Sequence, residues 1–182
     1  MAASGGEMTQ RASGLVAAAQ WVRAAAAGLT FRLATEEDVA FLFAVYASTR
    51  AEEMAMVPWS EAEKAAFIAQ QAHAQHTDYR RNFSQADWLI IMRAGEPVGR
   101  LYLLRGEHRH YVVDITFLPN HRGKGYGEAL LRDLLEEAAA VGKPVEIHVE
   151  NYNRAMTLYR RLGFVTVEEQ GVYELLRSPQ PL

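Results

Sequence analysis

The sequence predicts an α/β (α+β) fold in which helices flank one mixed, mostly antiparallel sheet. Strand patterns joined by short turns predict antiparallel hairpins, and a single strand–loop–helix–strand unit predicts one parallel pair in the same sheet. Two helix patterns after the first strand and two later in the chain supply the helices on the faces of that sheet. The 182 residues, 49% apolar and 23% charged, are typical of one globular domain.

The predicted domain begins after an Ala-rich segment. Residues 1–28 are expected to form an N-terminal extension that is partly disordered, with a short helix from about Ser13. Polar and charged residues interrupt its apolar run, so the segment is read neither as a membrane span nor as a signal peptide. Residues 29–177 form the predicted domain, and residues 178–182, which include two prolines, form a tail.

The first half of the domain combines one strand with two helices. Thr35 and Ser60 each begin a capping box, in which a hydroxyl residue precedes an acidic residue by three positions. Apolar residues at helical spacing follow both boxes. The predicted elements are a strand at 31–33, a helix to about residue 48, a linker at 49–59 with a possible helical turn, a helix at 65–79 and a polar loop at 80–85.

The second half carries the other strands and two more helices. Residues 87–93 and 98–104 flank the turn sequence Ala-Gly-Glu-Pro, which predicts a hairpin. Asn153 is placed to cap the last helix and Gly163 to end it. The other predicted elements are strands at 111–118, 145–149, 164–168 and 171–176 and a helix from about 130 to 141. The predicted order is therefore β-α-α-β-β-β-α-β-α-β-β.

Residues 111–141 are the centre of the chain because they join a buried strand, a glycine-rich loop and an amphipathic helix. The loop reads Arg-Gly-Lys-Gly-Tyr-Gly at residues 122–127. Glycine lets the backbone approach a ligand closely, and the first amides of the following helix have no intrahelical partners. Such a loop favours binding of an anion, and the expected ligand is a pyrophosphate. Arg122 and Lys124 would add charge-assisted hydrogen bonds.

Two common phosphate-binding motifs fit this loop poorly. A P-loop requires Ser or Thr after Gly-Lys, whereas Gly125 follows Lys124 here. A dinucleotide fingerprint requires a third glycine where Glu128 stands. Glu150, at the end of the next strand, lies about where a ribose-binding acid is expected, so a nucleotide-binding βαβ protein stays open as an alternative.

The loop resembles motif A of the GNAT superfamily of N-acetyltransferases, whose consensus is Gln/Arg-x-x-Gly-x-Gly/Ala. Arg122, Gly125 and Gly127 occupy its fixed positions. Residues 153–164 resemble a second family segment, Asn-x-Ala…Leu-Tyr-x-x-Leu-Gly-Phe. The two motifs lie at the separation found in the GNAT family. The predicted order of strands and helices also resembles the family's mixed sheet, and the resemblance covers about residues 31–176.

The resemblance implies acetyl-CoA as co-substrate and no metal. In this family the co-substrate lies in a gap where the central strand and the next strand splay apart. Backbone groups of the central strand pair with pantetheine, and the loop amides hold the pyrophosphate. The expected cofactor-binding residues are Ile115, Thr116, Phe117, Arg122, Gly123, Lys124, Gly125, Tyr126, Gly127, Glu128, Asn153 and Tyr159.

The resemblance also implies catalytic roles. Tyr159 occupies the family's general-acid position and would protonate the leaving thiolate. His148 lies where some members place a catalytic glutamate, and Asp114 interrupts an apolar strand, so these two are the predicted bases. A water relay without a dedicated base stays open. A backbone N–H near Phe117 would stabilise the tetrahedral oxyanion.

The expected acceptor is an amine of an unidentified small molecule or protein. The resemblance places its groove at residues 46–59 and, less directly, at Gln71, Gln75 and Tyr79. Acidic and basic side chains both occur there, so charge does not select a substrate. A sensor that binds acyl-CoA without turnover is the alternative within the same fold, and the presence of Tyr159 favours the enzyme.

Composition narrows the classes of partner. The net charge of −3 gives no electrostatic reason to expect binding to nucleic acid or to an anionic membrane. The chain has no cysteine, which excludes disulfides, a thiol nucleophile and a cysteine-based metal site. Its six histidines show no metal-binding spacing. The expectation is a cytoplasmic protein that is a monomer or a homodimer.

Overall fold

Seven strands form a single sheet in the structure, a computed structural model that describes residues 21–179. The strands are β1 (Leu29–Leu33), β2 (Asp87–Arg93), β3 (Glu96–Arg105), β4 (His110–Phe117), β5 (Val145–Glu150), β6 (Val165–Gln170) and β7 (Tyr173–Arg177). Their order across the sheet is β1-β2-β3-β4-β5-β7-β6. Only β4 and β5 run parallel among these neighbours. The predicted mixed, mostly antiparallel sheet is confirmed.

Helices cover both faces of this sheet. Within residues 21–179 they are α1 (Val22–Ala26), α2 (Val39–Ala55), α3 (Glu61–Asn82), α4 (Tyr126–Ala140) and α5 (Met156–Arg161). The larger core joins one face to α1, α4 and α5 and includes Trp21, Leu130 and Tyr159. The smaller core joins the opposite face to α2 and includes Leu42 and Trp88. The predicted order of elements is confirmed, with α1 added before the first strand.

Helix α2 is longer than the sequence pattern predicts. It continues to Ala55, through seven residues that were predicted to belong to a linker. These residues are good helix formers, and Arg50 pairs with Glu53 one turn later (Nη1 to Oε1, 2.9 Å). Apolar periodicity fades there because that half of α2 makes polar contacts rather than core contacts. Helix α3 likewise extends to Asn82, into the predicted loop.

Residues just before β1 belong to the packed structure, although the sequence assigns them to the extension. Trp21 and Ala24 are buried in the larger core. Asp133 of α4 accepts hydrogen bonds from the backbone N–H of Ala24 (2.8 Å) and of Arg23 (3.2 Å), at the start of α1. Helix α1 has only five residues, too few for a periodic signal. The predictions for residues 1–20 and 180–182 lie outside the described residues.

Strands β4 and β5 separate after three residue pairs. Their pairing ends at Val112 with Ile147, yet β4 continues to Phe117 and β5 to Glu150. Within β4, Val113 is left unpaired between two partners on β3, which is a β-bulge. The two strands therefore bound an open gap at their carboxyl ends. This gap is the splay that the family resemblance implies.

Gly99 on β3 controls how closely β4 approaches at the edge of the gap. A Cβ at this position would lie 2.4 Å from the Thr116 carbonyl oxygen and 3.1 Å from the Cα of Phe117. We expect Gly99→Ala to lower the free energy of unfolding by about 2–3 kcal/mol, because the backbone of β4 must move. Chemical denaturation measures the change.

The matched control for Gly99 is Gly95 in the turn of the same hairpin. No atom lies within 4 Å of a Cβ built on Gly95, and its φ of +84° makes alanine strained there without a clash. We expect Gly95→Ala to cost about 1 kcal/mol. A Gly99→Ala variant that is no less stable than Gly95→Ala would contradict the close approach.

Candidate active site

The glycine-rich loop ends β4 and begins α4 at the mouth of the gap. Gly125 is the N-cap of α4 and has φ +80°, a left-handed conformation that other residues adopt with strain. The first backbone hydrogen bond to the start of α4 runs from Ala129 N–H to Gly125 C=O. Within residues 21–179, the amides of residues 123–128 have no backbone acceptor. Unpaired N–H groups at the positive end of a helix dipole, such as these at the start of α4, favour an anion.

The Arg122 side chain is at the surface, and its hydrogen bonds are made to other parts of the protein. Its Nε donates to the Phe117 carbonyl oxygen (2.7 Å), and its Nη2 donates to Ser48 Oγ on α2 (2.9 Å). Burial lowers the pKa of the guanidinium. Arg122 therefore joins the end of β4, the loop and α2, while Lys124 is exposed to solvent.

The other predicted loop residues shape the wall of the site. The Tyr126 ring is buried against Phe117, with ring centroids 6.1 Å apart. A Cβ on Gly127 would lie 3.9 Å from the Phe117 ring and 3.8 Å from Leu158, so α4 packs closely here. Glu128 forms ion pairs with Arg132 on its own helix, α4 (2.9 Å), and with an arginine on α5. Glu128 therefore ties α4 to α5, and only its backbone amide is available to an anion.

Tyr159 lies on α5 and is 4% exposed. Its ring packs edge-on against Phe164, with centroids 5.7 Å apart. Burial raises the pKa of the phenol, and the Asp114 carboxylate raises it further. Tyr159 and Asp114 lie on opposite faces of the sheet, so the charge of the Asp114 carboxylate acts on the Tyr159 phenol across the gap. The phenol keeps its proton at neutral pH and can act as an acid.

Asp114 has a buried partner that the sequence did not reveal. Arg100 on β3 donates from Nη2 to Asp114 Oδ2 (2.7 Å), and the Thr116 hydroxyl donates to Oδ1 (2.7 Å). Arg100 also donates to the Gln75 side chain on α3 (2.8 Å). The sequence does contain a signal for this ion pair, since one arginine interrupts the apolar run of β3 and one carboxylate interrupts that of β4. The ion pair accounts for a carboxylate in this strand.

His148 is the first residue of β5 beyond the last pair with β4. Its side chain is exposed, and its Nδ1 lies 2.6 Å from the hydroxyl oxygen of Tyr111. Glu146 is two residues earlier on β5 and shares the strand face of His148, but it is only 1% exposed. Arg177 and Arg109 pair with that carboxylate at 2.6 and 2.8 Å, which explains its burial.

Asn153 and Glu150 have structural partners at the carboxyl end of β5. The Asn153 side-chain oxygen accepts from the N–H of Ala155 (2.8 Å) and so stabilises the turn before α5. Glu150 accepts from Arg50 on α2 (3.3 Å) and from the Tyr173 hydroxyl (3.3 Å). Neither side chain is hydrogen-bonded to the glycine-rich loop.

The second half of α2 crosses the mouth of the gap. Three of its residues bind residues from beyond the gap: Ser48 contacts the loop, Arg50 contacts β5, and Glu52 accepts from Arg154 (2.7 Å) before α5. A cleft of about 590 Å³ also separates α2 from α3 and is lined by Ala51, Met54 and other residues. The predicted acceptor segment at 46–59 therefore lies partly over the gap.

Comparison with known proteins agrees with this geometry. The model of the Acetyltransferase (GNAT) family matches residues 49–164, which is more than half of the chain. The chain belongs to the GNAT acetyltransferase family. The predicted family, fold and enzyme class, an acyltransferase, are thereby confirmed. A search of the curated proteins finds no match.

Solved structures with the same fold include several N-acetyltransferases. The PaiA N-acetyltransferase of Thermoplasma acidophilum, solved with coenzyme A, has a TM-score of 0.61 and 16% identity, over 82% of this chain and 98% of that one. The ribosomal-protein-S18-alanine N-acetyltransferase of Escherichia coli has a TM-score of 0.53 and 18% identity, over 85% of this chain and 95% of that one. At such low sequence identities, the similarity shows that the chains share a fold and shows nothing more.

No group of three or more histidine, cysteine, aspartate or glutamate side chains within residues 21–179 is arranged to hold a metal ion. Nor does any helix described here combine the length and apolar character needed to cross a membrane.

Proposed function

We propose that the protein transfers an acetyl group from acetyl-CoA to an amine, by direct attack through a tetrahedral intermediate. The observation that carries this proposal is the gap between β4 and β5, which ends at the unpaired amides of residues 123–128. A thioester arm suits the gap, and a pyrophosphate suits the amides. The coenzyme A in the Thermoplasma acidophilum relative supports the choice of co-substrate.

The proposed binding site uses backbone groups more than side chains. Residues 115–117 line the gap with main-chain N–H and C=O groups, and residues 123–128 would hold the pyrophosphate. Arg122 acts through its hydrogen bond to the Phe117 carbonyl oxygen, which keeps the end of β4 in place. Asn153 acts through the turn that it caps, because its side-chain oxygen is engaged with Ala155.

In the proposed reaction, the amine nitrogen bonds to the thioester carbonyl carbon and the carbon–sulfur bond then breaks. The Tyr159 hydroxyl gives its proton to the departing sulfur, and the amine loses one proton. Asp114 and His148 remain the predicted bases, but both oxygens of Asp114 and Nδ1 of His148 already have partners. We therefore favour a water relay on the open side of the gap as the route for the amine proton.

The acceptor remains a small-molecule or protein amine of unknown identity. In the groove Arg50 is paired with Glu53 and Glu150, and Arg154 is paired with Glu52, so both cations are already neutralised by carboxylates of the protein. The relative from Escherichia coli is named for an alanine of a ribosomal protein, which makes peptide N-termini worth including among the tested acceptors. Cytoplasmic location and monomeric or homodimeric assembly remain predictions.

Thiol release tests the proposed function. The protein is incubated with acetyl-CoA and a panel of amino acids, polyamines, aminoglycosides and peptide N-termini, and free CoA is detected with a thiol-reactive dye. The chain has no cysteine, so it adds no background. We expect release that depends on an acceptor. Binding of CoA without release for any amine would favour the acyl-CoA sensor, and absence of CoA binding would contradict both.

A further inference from the structure

The contact between Tyr111 and His148 lies where the proposed reaction would take place. Tyr111 precedes Val112, the last β4 residue paired with β5, and His148 follows Ile147, its partner. The Tyr111 hydroxyl oxygen and His148 Nδ1 are 2.6 Å apart, a short hydrogen bond. The pair therefore stands at the closed end of the gap, on the face of the sheet covered by α2 and α3.

The surroundings of Tyr111 decide which partner donates. Its ring stacks on Phe83, with centroids 5.6 Å apart and planes at 21°, and the Arg109 guanidinium lies 5.5 Å from the ring centre. Tyr111 is 9% exposed, and burial raises the pKa of its phenol, so the hydroxyl keeps its proton. Within residues 21–179, His148 Nδ1 is the one hydrogen-bond partner of this hydroxyl.

If the Tyr111 hydroxyl accepted from a proton-bearing Nδ1, its own hydrogen would have no acceptor among residues 21–179, which is unfavourable. Tyr111 therefore donates to Nδ1. A neutral imidazole carries one proton, so that proton must reside on Nε2. Nε2 is on the other side of the ring and points away from Tyr111.

The charged groups around the ring leave Nε2 free for a ligand. Glu146 on β5 is held by Arg109 and Arg177, and Glu150 is held by Arg50. Neither carboxylate is hydrogen-bonded to His148 within the described part of the chain. The exposed side chain thus presents an N–H group at the closed end of the gap.

We propose that His148 is a catalytic hydrogen-bond donor, held in the Nε2–H tautomer by Tyr111, and that it binds the acetyl carbonyl oxygen as negative charge develops there. This inference rests on the proposed acetyl transfer. It differs from the base predicted for His148, because a base needs a free ring lone pair and Tyr111 occupies that of Nδ1. A fixed donor aimed at a developing oxyanion contributes to catalysis without any net proton transfer.

Substitutions at His148 separate a donor from a base. The side chain of His148→Gln offers an N–H donor and an oxygen that accepts from Tyr111, whereas His148→Glu offers a carboxylate base without a donor. We expect His148→Ala and His148→Glu to lower kcat by about 100-fold, and His148→Gln to lower it by less than about tenfold. An active glutamate variant with an inactive glutamine variant, or wild-type kcat in all three, would overturn the donor role.

Nitrogen-15 NMR of the imidazole tests the tautomer without requiring turnover. We expect neutral His148 to show Nε2–H in the wild type, and a mixture of tautomers in Tyr111→Phe, which preserves the stacked ring. Observation of Nδ1–H in the wild type would overturn the inference. Failure of the proposed function would instead appear as absent thiol release from the wild-type protein, with the NMR result still decisive for the tautomer.

Discussion

Tyr159→Phe is expected to lower kcat for acetyl transfer by about 100-fold or more while leaving the affinity for CoA nearly unchanged. General acid catalysis typically contributes a factor of this size, and phenylalanine preserves the packing against Phe164. Because burial and Asp114 raise the pKa of the Tyr159 phenol, the acid stays protonated through neutral pH and is lost only in alkaline solution. Steady-state thiol release measures kcat, and calorimetry measures CoA binding.

Tyr152→Phe is the matched control for that experiment. Tyr152 lies in the turn between β5 and α5, shortly before Tyr159, and it is 61% exposed. We expect its kcat to match that of the wild type. Wild-type turnover in Tyr159→Phe, with the control equally active, would show that the thiolate leaves without help from this phenol.

Trp21→Ala is expected to lower the free energy of unfolding by about 3–5 kcal/mol, the usual cost of removing a buried tryptophan. Trp21 is 2% exposed, its ring meets Phe31 at 4.7 Å between centroids, and its Nε1 donates to Glu137 on α4 (2.7 Å). The substitution removes a packed ring and leaves the Glu137 carboxylate with one partner fewer. Thermal unfolding should show a fall in Tm on the order of 10 °C.

Val22→Ala is the control that separates the loss of the Trp21 ring from a general sensitivity of α1 to substitution. Val22 adjoins Trp21 on the chain, yet it is 72% exposed. We expect a change within about 0.5 kcal/mol. If the two variants unfolded at the same temperature as the wild type, α1 would not contribute to the stability of the domain.

Elements with a local signature were predictable from the sequence. The hairpin of β2 and β3 has apolar runs on both sides of a Gly-containing turn, and residues 87–93 are strand in both prediction and structure. The glycine-rich loop was predicted for the same reason, because an N-cap glycine and the following helix are neighbours in sequence. Helix α1 and the second half of α2 were missed, since their partners lie about a hundred residues away.

The polar pairs of the site depend on strand register, which no local pattern specifies. Tyr111 and Asp114 are three residues apart and would face opposite sides of a regular strand. The bulge at Val113 places both on the face covered by α2 and α3, where Tyr111 meets His148 and Asp114 meets Arg100. The sequence therefore identified Asp114 and His148 singly, and the strand register determined their partners, Arg100 and Tyr111, and hence their chemistry.

Titration of nitrogen-15-labelled protein with CoA tests the central claim most directly. The proposed site predicts saturable shifts of the backbone amides of residues 123–128 and 113–117, on either side of the turn that begins α4. NAD at the same concentration should leave those amides unchanged. Shifts confined to other parts of the chain, or equal responses to CoA and NAD, would contradict a CoA site in the gap between β4 and β5.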